Sequence, residues 1–313
     1  DGQVLTANID AITSLNVDSK SIADLTGIED FAALTIFSCG WNQLTSLDVS
    51  SNISLVNLDC HYNTLNNLNV SNNVNLTDLD CSLNQLSNLD LSSNTSLINL
   101  KCHYNSFSSI SLSTNTSLVE LSLQYNSLTS IDLSTNTSLN LLDLQNNNLS
   151  VVDLSYNTIL TEVYLRNNNL STIDISSNTS LSVLSCDNNN IDELDVSSIT
   201  SLTHLDCRGN NLTTLDINTN PLMGALYCSN NQLSCLRIKN LTNSSMALNA
   251  GGNSSLVCIE VDDPTYSSSN WESGTWTYDS DCDNCFESSN SGPALITDNN
   301  FENYLETHDA NGN

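Results

Sequence analysis

The sequence predicts an α/β-type repeat solenoid, with short parallel strands on its concave face and a convex side that is mostly irregular or 3₁₀-helical. First, a frame that reads L-x-x-L-x-C-x-x-N-x-L-x-x-L-x-V-S-x-N from Leu55 recurs with a 21-residue period. Second, apolar and polar residues alternate in the first part of each frame. Third, the asparagine of the frame keeps its spacing at Asn42, Asn63, Asn84, Asn105, Asn126, Asn147, Asn168, Asn189, Asn210 and Asn231.

A period of 20 to 29 residues with this frame is the signature of a leucine-rich repeat. Leu55, Leu58 and Cys60 have the alternation of a strand that buries one face. Asn63 should hydrogen-bond to backbone groups of the turn that would otherwise be buried without partners. One turn cannot bury its own apolar face, whereas stacked turns about 4.8 Å apart form a continuous core. The start positions of the frame predict about 12 turns in a right-handed coil.

The regular frame divides the chain into segments. Residues 1–33 are atypical first turns, in which apolar residues at spacing three suggest a 3₁₀ or helical return. Residues 34–261 are the repeat array, and residues 262–285 form a C-terminal cap rich in aromatic residues. Residues 286–297 are a polar linker, and residues 298–313 begin a following, tandem unit.

The charge excludes several classes of partner. The formal net charge is -29, with six lysine and arginine residues in total. Nucleic acids and anionic membrane surfaces require basic patches, so neither is an expected partner. The chain has no apolar run of about 18 residues, so we expect no direct membrane insertion.

The eleven cysteines fall into two groups. Those at the inward-pointing sixth position of the frame should be reduced and structural, because parallel side chains on neighbouring strands suit disulfide geometry poorly. They are Cys39, Cys60, Cys81, Cys102, Cys186, Cys207 and Cys228. The other four, Cys235, Cys258, Cys282 and Cys285, lie near the cap, where an oxidising environment would favour a disulfide. Cys258–Cys282 is the preferred pair and Cys235–Cys258 the alternative.

An acidic column recurs in the return segment of the frame. It consists of Asp48, Asp90, Asp132, Asp153, Asp174, Asp195 and Asp216. We expect each carboxylate to accept hydrogen bonds from the backbone of its turn. The alternative is Ca²⁺ bound along the column, which oxygen ligands would allow. No other cofactor is expected, and the partial calcium-loop pattern at Asp309 lacks its closing glutamate.

The concave face carries the most varied residues of the array. With Leu55 as position 1, positions 3, 5, 7 and 8 face outwards. The candidate ligand-binding residues are Trp41, His61, Tyr62, Lys101, His103, Tyr104, Tyr125, Tyr164, Arg166, His204, Arg208 and Tyr227. Diversity on one face of a monotonous array is typical of recognition, although an aromatic ladder could instead stabilise neighbouring strands. No catalytic set is present, and a Zn²⁺ bridge across His61, Asp80 and His103 is conceivable but not the expected interpretation.

The frame resembles secreted bacterial leucine-rich-repeat proteins of the internalin-like and Bacteroidetes surface kind. LVCIEVDDPTYSSSNW is similar to the end cap of the Bacteroidetes group, and ITDNNFENYLETHDANGN is similar to its entry segment, which normally precedes DGQVLTANIDAITSLNV. The resemblance implies an exported, cell-surface, non-enzymatic adhesion module that binds a protein or glycan, with neighbouring copies of the unit in a longer chain. The alternatives are a structural spacer or filament unit and an accessory module of a secreted glycan-processing enzyme.

Overall fold

The computed structural model describes residues 9–241, 246–271 and 273–282. The chain divides into two compact units, Asp1–Asp281 and Cys282–Asn313, and Cys282 is the one described residue of the second. The predicted linker, the predicted tandem unit, Cys285 and the partial calcium-loop pattern at Asp309 all lie outside the described residues.

Short parallel strands dominate the first unit. They are β1 (Ser14–Asn16), β2 (Ile36–Ser38), β3 (Asn57–Asp59), β4 (Asp78–Asp80), β5 (Asn99–Lys101), β6 (Glu120–Ser122), β7 (Leu141–Asp143), β8 (Glu162–Tyr164), β9 (Val183–Ser185), β10 (His204–Asp206), β11 (Thr214–Asp216), β12 (Ala225–Tyr227), β13 (Cys235–Ile238), β14 (Ala247–Asn249), β15 (Cys258–Val261) and β16 (Thr277–Asp279). Twelve form one sheet in the order β1 to β10, β12, β14. Equivalent residues pair in register, as Leu58 does with Leu79. This confirms the predicted solenoid of about 12 turns.

A second parallel sheet, with the order β11-β13-β15-β16, runs along the return side near the C-terminal end. The repeat frame did not predict this sheet, because its strands occupy the part of the frame that stays irregular in earlier turns. Here Arg237 on β13 lies between two carboxylates, with Nη1 3.3 Å from Asp216 Oδ2 and Nε 2.7 Å from Glu260 Oε2. Cross-strand attraction thus replaces the repulsion between aspartates that neighbouring turns have elsewhere in this column.

The rest of the return side is irregular apart from single turns of helix. A 3₁₀ helix spans Ile28–Asp30, as the spacing of three predicted. Near the C-terminal end, α1 (Pro264–Asn270) begins at Asp263, whose side chain accepts hydrogen bonds from the backbone N–H groups of Thr265 and Tyr266. Among the described residues, no helix has the length and apolar character needed to span a membrane.

The predicted asparagine ladder is present and joins each turn to its neighbour. Asn63 Nδ2 donates to Cys39 O and Cys60 O, both at 3.1 Å, and Asn63 Oδ1 accepts from the N–H of Leu44 at 2.9 Å. Because Leu44 is fully buried, water cannot replace this acceptor. The side-chain amide therefore supplies hydrogen bonds that the backbone of a sharp turn cannot make for itself.

A second asparagine ladder lies deeper, where the sequence suggested only a tight turn. It comprises Asn52, Asn73, Asn94, Asn115, Asn136, Asn157, Asn178 and Asn220. Each Nδ2 reaches two carbonyls of the preceding turn, as Asn136 does with Leu112 O at 3.1 Å and Asn115 O at 2.9 Å. Their Oδ1 atoms are buried and have no hydrogen-bond partner among the residues that the structure describes. Ile199 occupies this place in one turn and is fully buried.

The cysteine ladder is buried, as predicted. Cys39, Cys60, Cys81, Cys102, Cys186 and Cys207 are free thiols, and Cys228 is buried in the same column. Cys81 Sγ and Cys102 Sγ lie 3.3 Å apart. Near the cap, Cys235, Cys258 and Cys282 are each in a disulfide. The pairing of Cys258 with Cys282 stays a prediction.

The acidic column forms the predicted turn hydrogen bonds. In each case the carboxylate accepts from the N–H two residues later, as Asp90 does from Ser92 and Asp132 from Ser134. The serine hydroxyl and then its N–H lower the pKa of these exposed aspartates. The carboxylates are thus used locally, and this favours the hydrogen-bonding interpretation of the column.

These pKa shifts give a pH dependence. A carboxyl whose pKa is lower in the folded state stabilises the fold above its unfolded pKa of about 3.9, and this stabilisation is lost as pH falls through the folded pKa. We expect the thermal midpoint to fall between about pH 4 and pH 2. Replacing Asp90, Asp132, Asp153 and Asp174 with asparagine should flatten this dependence, because Asn69 makes the same backbone contact in its turn without titrating. An equally steep fall in the variant would contradict the assignment.

Candidate binding surface

Position 8 of the frame has a left-handed backbone in turn after turn. The φ angles are 54° at Trp41, 51° at Tyr62, 54° at Leu83, 52° at Tyr104 and 56° at Tyr125. Later turns place at this position the residues that tolerate this conformation best, Asn146, Asn167, Asn188, Gly209 and Asn230. We call the first set, Trp41, Tyr62, Leu83, Tyr104 and Tyr125, the aromatic column.

The aromatic column carries an energetic cost. For a bulky residue a left-handed backbone is strained by about 1–2 kcal/mol, because Cβ crowds the following carbonyl oxygen. Asparagine at the same position relieves part of that strain by local hydrogen bonding. Five consecutive turns therefore keep large side chains where the rest of the array uses asparagine or glycine.

The rings of the column are exposed and stacked in two pairs. Trp41 is 51% exposed, and the three tyrosines are between 43% and 45% exposed. Trp41 and Tyr62 have centroids 3.7 Å apart and planes 17° from parallel, and Tyr104 and Tyr125 have centroids 4.1 Å apart at 10°. Leu83 lies in the turn between the pairs. One face of each ring is thus covered by its neighbour, and the edges remain open to solvent.

The first histidine of the concave face belongs to this end of the array. His61 Nδ1 lies 2.6 Å from Asp59 Oδ1, and its ring is 6.0 Å from that of Trp41 in an edge-on arrangement. A Cβ on Gly40 would lie 2.6 Å from the imidazole, so the glycine leaves the space that the ring occupies. Gly40 was not among the predicted site residues, although it shares position 7 with His61.

The second histidine is more enclosed. His103 Nδ1 is buried and has no hydrogen-bond partner within the described part of the chain. Burial lowers the pKa of His103, so its neutral form persists to lower pH than usual. Its ring lies 5.9 Å from that of Tyr104. Lys101 is exposed on β5, in register with Asp80.

Next to the column, positions 3 and 5 form an acidic depression of about 210 Å³. Asp59, Asp78, Asp80 and Glu120 line it together with Lys101. Asn99 Nδ2 donates to Asp78 Oδ1 at 2.6 Å and fixes one of these carboxylates. Four acidic groups against one lysine give the depression a negative potential that favours cationic groups.

The remaining predicted site residues form a separate group in later turns. Arg208 Nε and Nη2 hold the two oxygens of Asp206 at 2.8 and 2.5 Å, and the Arg208 guanidinium lies 5.4 Å from the ring centre of Tyr227. Tyr227 also contacts His204, with centroids 5.4 Å apart. Tyr164 donates to Glu162 Oε2 at 2.7 Å, and burial together with this bond raises the pKa of Tyr164 to about 12.

Two arginines of this group flank a buried carboxylate. Asp187 is 2% exposed, and Arg166 Nε lies 3.1 Å from its Oδ2. Burial and then Asp206 raise the pKa of Asp187, while Arg166 and Arg208 act against that shift. Position 7 was predicted to face outwards in every turn, but at Asp187 it is buried. The structure thus places the predicted residues in two groups, one around the aromatic column and one from Tyr164 to Tyr227.

Comparison with solved structures gives the chain its relatives. A functional domain of InlJ from Listeria monocytogenes, which includes a cysteine ladder, is 34% identical with a TM-score of 0.76, over 82% of this chain and 60% of that one. The chain has the leucine-rich-repeat fold, and its structural neighbours are internalins and other bacterial leucine-rich-repeat proteins. It spans 60% of the length of the InlJ domain that it matches. No protein-family model and no curated protein matches it.

Two further neighbours share the fold of the chain. Internalin InlF from Listeria monocytogenes is 22% identical with a TM-score of 0.63, over 83% of this chain and 89% of that one. A leucine-rich-repeat protein from Leptospira interrogans is 21% identical with a TM-score of 0.64, over 80% of this chain and 79% of that one. At these identities the likeness concerns the fold alone. A cysteine ladder is a specific feature that this chain has in common with the InlJ domain.

Proposed function

We propose that the chain is a non-enzymatic binding module of an exported, cell-surface protein, and that it recognises a protein ligand through the aromatic column. The observation that carries this proposal is the left-handed backbone under Trp41, Tyr62, Tyr104 and Tyr125. Strain of this kind persists at sites where function requires it. Exposed aromatic residues are also the side chains that dominate binding energy at protein interfaces.

A purely structural spacer fits these observations less well. Stacked rings stabilise a pair by about 0.5–1.5 kcal/mol, which is less than the backbone strain of two such residues at about 1–2 kcal/mol each. A spacer would gain nothing from keeping such residues, since Asn146, Asn167 and Asn188 build the same turn with less strain. The rings are also confined to the first half of the array, whereas a spacer would need them equally in every turn.

The arrangement of the rings favours a protein over a glycan. Sugars bind aromatic residues by lying flat on a ring, but stacking covers one face of each ring in the pairs Trp41–Tyr62 and Tyr104–Tyr125. The exposed edges and the side chain of Leu83 are suited to apolar side chains. The acidic depression beside the column would accept a lysine or arginine of the same ligand.

The surface location rests on the internalin-like resemblance. The net charge of -29 suits a soluble surface module and disfavours polyanionic ligands. Cys235, Cys258 and Cys282 each take part in a disulfide, which agrees with an oxidising compartment. Neighbouring copies of the unit in a longer chain remain part of the proposal.

A displayed peptide library tests the proposal. Random peptides on phage are panned against the immobilised chain, and the enriched peptides are synthesised and titrated. We expect apolar peptides with a lysine or arginine, and we expect Trp41→Asn with Tyr104→Asn to weaken their binding at least tenfold, as truncation of two aromatic anchors should. Asparagine is the matched replacement because it occupies this position in later turns.

Tyr156→Ser is the control. Tyr156 is 55% exposed but lies in the return segment, at a place where neighbouring turns have serine or threonine. This variant should bind like the unmodified chain. Peptides that bind the double variant with unchanged affinity would overturn the proposal. Binding to a glycan array that depends on Trp41 and Tyr104, without peptide binding, would replace the protein ligand with a glycan.

A further inference from the structure

Three potential metal ligands converge at the edge of the acidic depression. Asp59 and His61 are two residues apart on one strand and its extension, so both side chains lie on the concave side. Asp80 is the residue on β4 that pairs directly with Asp59 on β3. One ligand atom from each of the three lies within 4.8 Å of the others, and all three residues are half-buried. We propose that Asp59, His61 and Asp80 bind a divalent transition-metal ion, with Zn²⁺ as the best fit.

The hydrogen bonds around the three side chains leave ligand atoms available. Asp59 Oδ1 accepts from the N–H and Nδ1 of His61, and Asp80 Oδ1 accepts from the N–H and hydroxyl of Ser82. Within the described residues, the second oxygens of Asp59 and Asp80 accept no hydrogen bond. A metal ion would take the place of the proton between His61 and Asp59, and the Ser82 contacts would keep the Asp80 carboxylate oriented.

The negative charge of the acidic depression also favours a bound cation. Asp59 and Asp80 are directly opposite on neighbouring strands, where like charges are destabilising. Asp78 and Glu120 add to the negative potential of the same depression. Lys101 on β5 forms no ion pair with Asp80 within 4.0 Å in the described structure, so it does not neutralise the pair.

The donor set selects the class of ion. Imidazole nitrogen with carboxylate oxygens suits Zn²⁺ and related transition metals, whereas Ca²⁺ takes six to eight oxygen ligands. Zn²⁺ ligands at about 2.0–2.2 Å from the metal lie about 3.4 Å apart in a tetrahedral site. The three ligand atoms lie within 4.8 Å of one another, which is close to that spacing. Three protein ligands leave one position of the ion open on the concave face, near Trp41.

Gly40, in the preceding turn, leaves room for the imidazole of His61. A Cβ at Gly40 would meet two ring atoms of His61 at 2.6 Å, so a larger residue there would displace the imidazole from its present position. Other turns carry side chains at the position of Gly40, such as Ser82 and Gln124. The inference does not depend on the proposed protein ligand, since metal binding is measured without one.

Calorimetric titration of the full chain with ZnCl₂ tests the inference, with thermal unfolding of each variant as a check of folding. We expect one Zn²⁺ per chain at the tightest site and at least tenfold weaker binding in His61→Ser and in Asp80→Ser. Serine occurs at the same positions in other turns, at Ser82 and Ser122, so both variants should fold. CaCl₂ should bind at least tenfold more weakly than ZnCl₂.

His103→Gln is the matched control, because Gln124 occupies the same position in the next turn. It should retain the affinity of the unmodified chain for Zn²⁺. Absence of saturable Zn²⁺ binding, or unchanged binding in a folded His61→Ser variant, would overturn the inference. Loss of the site in His103→Gln would also overturn it, since the ligands would then be those of a bridge between the two histidines.

Discussion

Replacement of Asn147 with alanine is expected to lower the free energy of unfolding by about 2–4 kcal/mol, a large effect for one polar residue. Asn147 Oδ1 accepts from the N–H of Leu128 at 3.0 Å, and its Nδ2 donates to Leu123 O and Leu144 O at 3.0 Å each. The two carbonyls keep a second donor from the ladder asparagines of neighbouring turns. Leu128 is fully buried and its N–H has no other acceptor in the described part of the chain, so the variant leaves a backbone donor unsatisfied.

Asn136→Ile in the deeper ladder is the control. The carbonyls that Asn136 contacts also accept backbone N–H groups, at 3.0 Å from Asn115 and 3.3 Å from Leu118. Its own Oδ1 is buried without a partner, and Ile199 already occupies this place in one turn. We expect a change within about 1 kcal/mol. Guanidinium unfolding, followed by circular dichroism, measures the free energy of unfolding of both variants. An equal decrease in the two variants would contradict the expected difference between the two ladders.

The ladder thiols should react on the order of a thousandfold more slowly in the folded chain than in 6 M guanidinium at pH 8. The thiolate is the reactive form, and burial raises the pKa of Cys60 and Cys207 well above the usual range. Burial also blocks the approach of the reagent, so labelling must wait for the array to open. Absorbance with an aromatic disulfide reagent gives both rates.

Ser113→Cys provides the comparison, because Ser113 is exposed in the return segment. This one added thiol should react in the folded state at the rate of an ordinary cysteine. Fast labelling of Cys60 or Cys207 in the native chain would contradict the buried ladder. A disulfide between two of the ladder cysteines, found by mass spectrometry under non-reducing conditions, would contradict it as well.

The repeat frame was sufficient for most of the fold. A fixed spacing of apolar residues and asparagine determines strand register, core and turn contacts, since each depends only on neighbouring turns. The second sheet has no such signal in the frame, and its ion pairs of Arg237 with Asp216 and Glu260 join particular residues of different turns. The deeper asparagine ladder was missed because asparagine is common both in turns and in buried hydrogen-bonded sites.

Part of the candidate binding surface had a signal in the sequence. Alternation along the strand predicts that positions 3 and 5 face outwards, but Trp41 and Tyr104 at position 8 have the parity of the buried positions 4 and 6 and are exposed because the backbone turns there. The left-handed backbone at position 8 also had a signal in the sequence, since Asn146 and Gly209 recur there in later turns. Burial at position 7 had no such signal, since Asp187 and Ser82 are buried at the position where Arg166 is exposed.

The free energy of unfolding of a variant with asparagine at Trp41, Tyr62, Tyr104 and Tyr125 tests most directly whether the aromatic column serves function. Asparagine should remove about as much backbone strain as ring stacking contributes, namely about 0.5–1.5 kcal/mol for each of the two pairs. If the column is kept for binding, the variant should be as stable as the unmodified chain, within about 1 kcal/mol, or more stable. A loss of more than about 2 kcal/mol would show that the rings hold the array together and would contradict a binding role as the reason for their presence.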